Sequence, residues 1–193
     1  MGPSIRRAAP EEMPRAIAAI TAAFLTDPIA RFAWPSPYAH LEAMPLAARE
    51  FAGASFEHGA AYVSSDFCGT ALWLPPGVEP NGEALEKIFR DTAMPEHLDD
   101  LLGTFEKMEH AHPDEAHWYL PLIGVEPNAQ GKGIGAELMR YAVARCDQEK
   151  ALAYLESSNP RNIALYRRFG FEEIGELQVG AGPLVTPMLR RPR

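Results

Sequence analysis

The chain has 193 residues with 47% hydrophobic content, which is the size and composition of one globular domain with its own core. Its formal net charge of −8 argues against a general nucleic-acid binder, and no apolar run reaches the ~20 residues of a membrane-spanning helix. Residues 1–10 carry no apolar signal core, and Cys68 and Cys146 lack metal-ligand spacing. We therefore expect a single cytoplasmic domain over residues 1–193 with reduced thiols, no membrane partner, and a monomeric or homodimeric state.

In chain order, the first part of the sequence predicts one strand, several helices and a pair of strands. Apolar spacing and breakers place these elements as follows: a strand at 5–8, a helix at 11–24, an irregular aromatic segment at 32–37, and a helix at 38–58 kinked at Pro45. Paired strands at 60–65 and 67–74 come next, and helical pieces begin near residues 83 and 95.

The second part opens with a buried strand that ends near Val125 and leads into a glycine-rich loop. A helix then runs to about residue 148, a strand covers 152–156, and a short helix covers 162–169. Strands are predicted at 171–179 and 184–189, and Pro187 predicts an edge position or a bulge for the last one. The elements together predict an α/β (α+β) fold with a mixed sheet and helices packed on it.

The loop that contains Gly131, Gly133 and Gly135 predicts an anion site, because free N–H groups and the positive end of a helix dipole converge there. A Walker-type phosphate loop is excluded, since Gly131-Lys132 is followed by Gly133 rather than Ser or Thr. A dinucleotide fingerprint remains open, with Glu156 at the position of a ribose ligand. Only 37 residues follow Glu156, too few for further βα units, so an NAD(P)-binding oxidoreductase is a weak alternative.

A third interpretation rests on a resemblance. The segment Val125-x-x-x-x-Gln130-x-x-Gly133-x-Gly135, followed by Asn162-x-x-x-Tyr166-x-x-x-Gly170-Phe171, resembles the acyl-CoA motif and the downstream hallmark of the GNAT family, the GCN5-related N-acetyltransferases. Other segments are similar to its puromycin N-acetyltransferase-like bacterial members. The resemblance implies a largely antiparallel mixed sheet of about six to seven strands, with splayed central strands and flanking helices. It also implies an enzyme that transfers an acetyl group from acetyl-CoA to a primary amine.

The resemblance assigns roles to particular residues. Tyr166 would protonate the leaving thiolate, and Asn162 would bond the pantetheine arm. The other acetyl-CoA-binding residues implied are Ile123, Gly124, Val125, Gln130, Gly131, Lys132, Gly133, Ile134, Gly135 and Ala136. Glu156 is the candidate general base, because an ammonium must lose a proton before it attacks. His117 and water remain alternative bases.

The acceptor site is expected around the first helical connection. Phe24, Asp27, Phe32 and Trp34 there, together with His117, would suit a cationic small-molecule amine. The His-rich run 110–117 has no known ligand spacing, so no metal is expected. A non-catalytic acyl-CoA-binding sensor or interaction domain is the main alternative to an enzyme, and the sequence does not identify the amine.

Overall fold

The computed structural model describes residues 4–193, and within this range seven strands form one sheet. The strands are β1 (Ile5–Arg7), β2 (Ala61–Ser64), β3 (Gly69–Leu74), β4 (His117–Val125), β5 (Leu152–Ser157), β6 (Glu172–Glu173) and β7 (Thr186–Arg190). Their order is β1-β2-β3-β4-β5-β7-β6, and β4 and β5 are the one parallel pair among them. The predicted mixed, largely antiparallel sheet is confirmed. A doubly wound dinucleotide-binding sheet is not formed.

Helices cover both faces of the sheet. They are α1 (Met13–Ala23), α2 (Pro28–Ala33), α3 (Pro37–Ala52), α4 (Ala54–Glu57), α5 (Gly82–Thr92), α6 (Leu98–His110), α7 (Ile134–Gln148) and α8 (Pro160–Arg168). Because side chains alternate along a strand, Leu72 packs with α1, α3 and α5, whereas Ala71 and Trp73 pack with α7. The sheet therefore separates two hydrophobic cores, one on each face.

The centre of the sheet opens between β4 and β5. These strands pair from His117 with Leu152 to Tyr119 with Tyr154, and the pairing ends there, although β4 continues for six more residues. On the other side of β4, Leu72 pairs with Leu122 but Leu74 pairs with Tyr119, so β4 carries an extra residue in a bulge that includes Pro121. A bulge bends its strand, and it lies where the two strands separate. The splayed central strands predicted for the sheet are thus present.

Gly124 lets α1 lie directly against the open half of β4. A Cβ atom built on Gly124 would lie 2.5 Å from the Cβ of Ala23, which is closer than two such atoms approach in proteins. The close contact fixes the end of α1, and with it the segment that follows, over the gap between β4 and β5.

Three local predictions are wrong. The segment 32–37 is not wholly irregular, because Phe32 and Ala33 end a short helix, α2, which the Asp27 side chain caps. The 171–179 strand shrinks to β6 and a bridge between Leu177 and Val185. Pro187 lies in β7, which is an interior strand. Its carbonyl accepts the Ile174 N–H just beyond β6, so the nitrogen of Pro187 faces the same side. The N–H that proline lacks would therefore not have bonded to β5.

Candidate active site

The glycine loop lies at the N-terminus of α7. Gly131 and Gly133 have φ angles of +75° and +85°, which glycine adopts far more readily than other residues. Gly133 is the N-cap residue of α7, and no side chain caps the first-turn N–H groups. The side chains of Gln130 and Lys132 instead fold back onto the carbonyls of Val125 and Asn128, at 3.0 and 2.9 Å. The backbone N–H groups in the first turn of α7 therefore remain available to an anion.

The loop, the open half of β4 and α8 meet at one place. A Cβ on Gly135 would lie 3.8 Å from the Val125 side chain and 3.6 Å from that of Leu165, so all three elements are in contact there. Ile123, Gly124 and Val125 belong to the part of β4 beyond its pairing with β5, and Ala136 is half-buried in the first turn of α7. Ile134 differs from its neighbours, because its side chain is buried in the core; its backbone N–H is the group it offers to a ligand.

Helix α8 presents Asn162 and Tyr166 four residues apart. Asn162 is exposed, whereas Tyr166 is buried with its ring against Phe171, the ring centroids being 6.3 Å apart. Burial, and secondarily the nearby Asp27 carboxylate, raise the pKa of Tyr166. The phenol consequently keeps its proton at neutral pH.

Asp27 is held by three hydrogen bonds. Its Oδ1 accepts the N–H groups of Ile29 and Ala30 at 2.9 and 3.1 Å, and its Oδ2 accepts the Ser158 hydroxyl at 2.5 Å. Burial raises the pKa of Asp27, and the bonds from Ser158 and the two amides oppose that shift. The carboxylate thus ties α2 to the end of β5. Ser158 was not singled out in the sequence, since the two residues lie 131 positions apart.

The N-cap role of Asp27 and its predicted contact with the substrate are separable by mutation. We expect Asp27→Ala to lower the free energy of unfolding by about 1–2 kcal/mol through loss of the N-cap, and Asp27→Asn, which keeps an acceptor oxygen, to lower it much less. Urea unfolding measures the difference. Equal losses in both variants would contradict the capping role. A rise in KM for a cationic amine in Asp27→Asn would support the predicted contact with substrate.

A small cavity of about 70 Å³ collects several predicted residues. Phe24, Asp27 and Trp34 line it together with Glu156 and Ser158. This volume is far below the roughly 300–1,000 Å³ of typical ligand pockets, so the cavity suits a reacting group and not a whole substrate. We call it the reaction cavity.

Two predicted acceptor-site residues lie elsewhere. Phe32 stacks on His97 with ring centroids 4.0 Å apart. His117 lines a separate cleft of about 960 Å³, formed by the segment after β3, helices α5 and α6, and the segment before β4. Five hydrophobic residues border both spaces: Phe51, Leu85, Phe89, Phe105 and Met108. The cleft and the reaction cavity are therefore neighbours across a mainly aromatic wall.

Glu156 lies on β5 between these two spaces. Its side chain is 1% exposed although the residue as a whole is half-buried, so the exposed part is the backbone beside the gap. Among residues 4–193, Oε1 has no hydrogen-bond donor in good geometry, and Nε2 of His112 lies 3.3 Å away. Burial and the Glu156 carboxylate raise the pKa values of Tyr119 and Tyr154, which lie beside it.

His112 and His117 form a hydrogen-bonded pair next to Glu156. His112 Nδ1 lies 3.0 Å from His117 Nε2, and His117 Nδ1 donates to the Glu115 carbonyl at 2.8 Å. The sequence singled out His112 only within a run considered for metal binding. Its contact with Glu156 joins segments 44 positions apart, and no local pattern indicates it.

Within residues 4–193, no three His, Cys, Asp or Glu side chains are grouped as metal ligands. In the same range, no helix combines the length and apolarity needed to cross a bilayer.

Comparison with known proteins defines the class to which this fold and site belong. Residues 29–171 match the model of the acetyltransferase (GNAT) family. The chain belongs to this family, and the resemblance predicted from the glycine loop and Tyr166 segment is confirmed.

Individual relatives are more distant. An uncharacterised N-acetyltransferase of Schizosaccharomyces pombe is 29% identical over 124 residues, which is 55% of this chain and 48% of the relative. The chain thus spans about half the length of that curated relative. A solved structure of histone acetyltransferase HPA2 and related acetyltransferase, from Corynebacterium glutamicum, has a TM-score of 0.70 at 24% identity. The match covers 100% of this chain and 98% of that chain. A Drosophila melanogaster polyamine N-acetyltransferase that forms N-acetylagmatine has a TM-score of 0.65 at 14% identity, covering 97% and 99%. Both likenesses are of fold.

Proposed function

We propose that the chain is an acetyl-CoA-dependent N-acetyltransferase that transfers an acetyl group to a primary amine of a small molecule. The observation that carries the proposal is the gap between β4 and β5. The uncapped N-terminus of α7 lies at one end of it, and the buried carboxylate of Glu156 lies inside it, beside the reaction cavity. This arrangement separates an anion seat from a proton acceptor, as a reaction between a phosphorylated donor and an amine requires.

The donor would lie along the open half of β4. The CoA pyrophosphate would bind the N–H groups from Gln130 to Ala136, with Lys132 nearby as a cation. The pantetheine arm would pair with residues 122–125 in place of the missing strand, and Asn162 would bond it from α8. A backbone N–H near Ile123 would stabilise the oxyanion of the tetrahedral intermediate.

The chemistry would be direct attack by the amine on the thioester. Glu156 takes a proton from the ammonium, because its buried carboxylate lines the reaction cavity. Tyr166 gives a proton to the leaving thiolate. An acyl-enzyme on Cys68 is disfavoured, since burial and the neighbouring Asp66 raise the pKa of that thiol.

The charge of the large cleft favours a cationic acceptor. Seven carboxylates line it, from Glu79, Glu86, Asp99, Glu106, Glu109, Asp114 and Glu115, against the single guanidinium of Arg90. A structural neighbour catalyses the formation of N-acetylagmatine, the acetylated form of a cationic amine. We propose that the acceptor's body lies in this cleft and its amine reaches the reaction cavity.

A screen of primary amines tests the proposal. Acetyl-CoA is incubated with the protein and a panel of polyamines, amino acids, antibiotics and peptides, and free CoA thiol is measured. At 100 times its Kd, acetyl-CoA should add about 2.7 kcal/mol to stability and raise Tm. Release of thiol with at least one amine supports the enzyme. A raised Tm without transfer to any amine would support the non-catalytic acyl-CoA-binding alternative.

The loop has its own test in Gly133→Val. A side chain at a φ of +85° strains the backbone by roughly 1–2 kcal/mol, and a branched one would also crowd the N–H groups beside it. We expect about a tenfold or larger rise in the Kd of acetyl-CoA, measured by calorimetry. Gly59→Val is the matched control, because Gly59 has a φ of +58° and open space around it but lies outside the loop. Unchanged affinity in Gly133→Val would show that the pyrophosphate binds elsewhere.

A further inference from the structure

Glu156 touches two spaces at once. Its side chain lines the reaction cavity, while its Oε1 lies 3.3 Å from Nε2 of His112, which lines the large cleft. The His112 side chain is 26% exposed, whereas that of Glu156 is 1% exposed. A proton that reaches Glu156 from the reaction cavity therefore has a titratable neighbour on the solvent side.

The hydrogen bonds of the two histidines determine which nitrogen carries a proton. The Glu115 carbonyl only accepts, so His117 Nδ1 carries a hydrogen. Burial lowers the pKa of His117, which keeps its ring neutral near pH 7 and leaves Nε2 as an acceptor. His112 Nδ1, 3.0 Å from that atom, is therefore the donor of their hydrogen bond. The His112 nitrogen directed at Glu156 is then Nε2, the atom that gains or loses a proton.

The surroundings of His112 hold its ring in this orientation. Its centroid lies 4.5 Å from the Tyr119 ring and 4.6 Å from the Tyr154 ring, so aromatic side chains of β4 and β5 pack around it. Both tyrosines have raised pKa values and stay protonated, which leaves Glu156 as the carboxylate among the groups packed on this ring.

We propose that His112 is a positioning residue for proton release, which takes the substrate proton from Glu156 and passes it to water in the large cleft, with His117 orienting its ring. This inference rests on the proposed acetyl transfer. The ammonium gives one proton to the Glu156 carboxylate, and the neutral amine forms the C–N bond. The Glu156 carboxyl then gives that proton to His112 Nε2, which becomes an imidazolium while its Nδ1–H stays bonded to His117. Water in the cleft takes the Nε2 proton, and both side chains return to their starting states.

Three variants test the relay with the best amine from the panel. His112→Ala is expected to lower kcat about tenfold and to leave the KM for acetyl-CoA unchanged, because the donor site is not touched. His112→Gln keeps a side chain that forms hydrogen bonds, but an amide does not accept a proton near neutral pH, so kcat should fall by the same factor. His110→Ala is the matched control: its ring is exposed at the last residue of α6, two positions before His112, and bonds only to the Glu106 carbonyl, at 2.7 Å, so kcat should not change.

Small-molecule rescue separates proton transfer from packing. Imidazole added to His112→Ala should restore much of kcat, whereas pyrazole, of the same shape but far weaker as a base, should not. Full activity in His112→Gln, or equal rescue by both rings, would overturn the relay and leave the acetyltransferase proposal standing. A wild-type protein that binds acetyl-CoA but acetylates no amine would overturn both.

Discussion

Glu156→Gln is expected to lower kcat about 10²- to 10³-fold, the size of effect that general-base catalysis by a positioned side chain gives. The amide has the same shape as the carboxylate, so the packing against Tyr119 and Tyr154 is kept. It cannot take a proton from an ammonium. The Kd of acetyl-CoA, measured by calorimetry, should stay within about twofold, since the proposed donor contacts are with β4, α7 and α8.

Two further measurements make the Glu156 result specific. Glu172→Gln, on the exposed edge strand β6, removes one carboxylate far from the gap and should leave kcat unchanged. Raising the pH should partly restore the Glu156→Gln variant, because more of the amine then arrives already deprotonated. A variant as fast as wild type at neutral pH would remove Glu156 from the mechanism and leave His117 or water as the base.

Local sequence patterns predicted most of the elements because apolar spacing and breakers act over a few residues. The glycine loop, with its positive φ angles, and the four-residue spacing of Asn162 and Tyr166 are features of this kind. The sequence does not predict α2, because Asp27 next to Pro28 is equally typical of a helix end and of a ligand for an amine. In the structure the same carboxylate begins the next helix.

The wrong prediction of an edge position or a bulge at Pro187 has a different cause. A proline requires an edge strand only where its missing N–H would face a neighbouring strand. Which strands lie on each side of β7 decides whether this holds for Pro187. The order β5-β7-β6 places β7 inside the sheet, but β6 ends before it reaches Pro187. The proline is therefore tolerated in an interior strand, and only the tertiary arrangement shows why.

The candidate site divides in the same way. The proposed donor site draws on one continuous stretch, 122–136, plus α8, so most of its residues are adjacent in the sequence. The acid–base side brings together His112, Glu156 and Asp27 with Ser158 from separate segments. The sequence left Glu156 and His117 as alternative bases, whereas in the structure His112 lies between them, hydrogen-bonded to His117 and with its Nε2 3.3 Å from Glu156 Oε1. That relation depends on the β4–β5 register, which periodicity does not specify.

Tyr166→Phe is expected to lower kcat about 100-fold with little change in acetyl-CoA affinity, because only the proton donor to the thiolate is removed. The ring, which packs on Phe171, is retained, so the fold and the position of α8 should be preserved. Since burial raises the pKa of Tyr166, wild-type kcat should show no loss of this acid up to about pH 10, the ordinary pKa of a phenol. The measurement is kcat from pH 6 to 10, with calorimetric Kd values for both proteins.

Tyr141→Phe controls for the loss of a phenol at a surface site, since Tyr141 is 43% exposed on α7 and packs against Tyr62. It should match wild type. Equal kcat in Tyr166→Phe and wild type would mean that the thiolate leaves without this acid, and Tyr166 would then be a packing residue of α8. A large rise in Kd with unchanged kcat would instead assign Tyr166 to donor binding. Only a fall in kcat at constant Kd fits proton donation, because such a group stabilises the transition state without contributing to the ground-state complex.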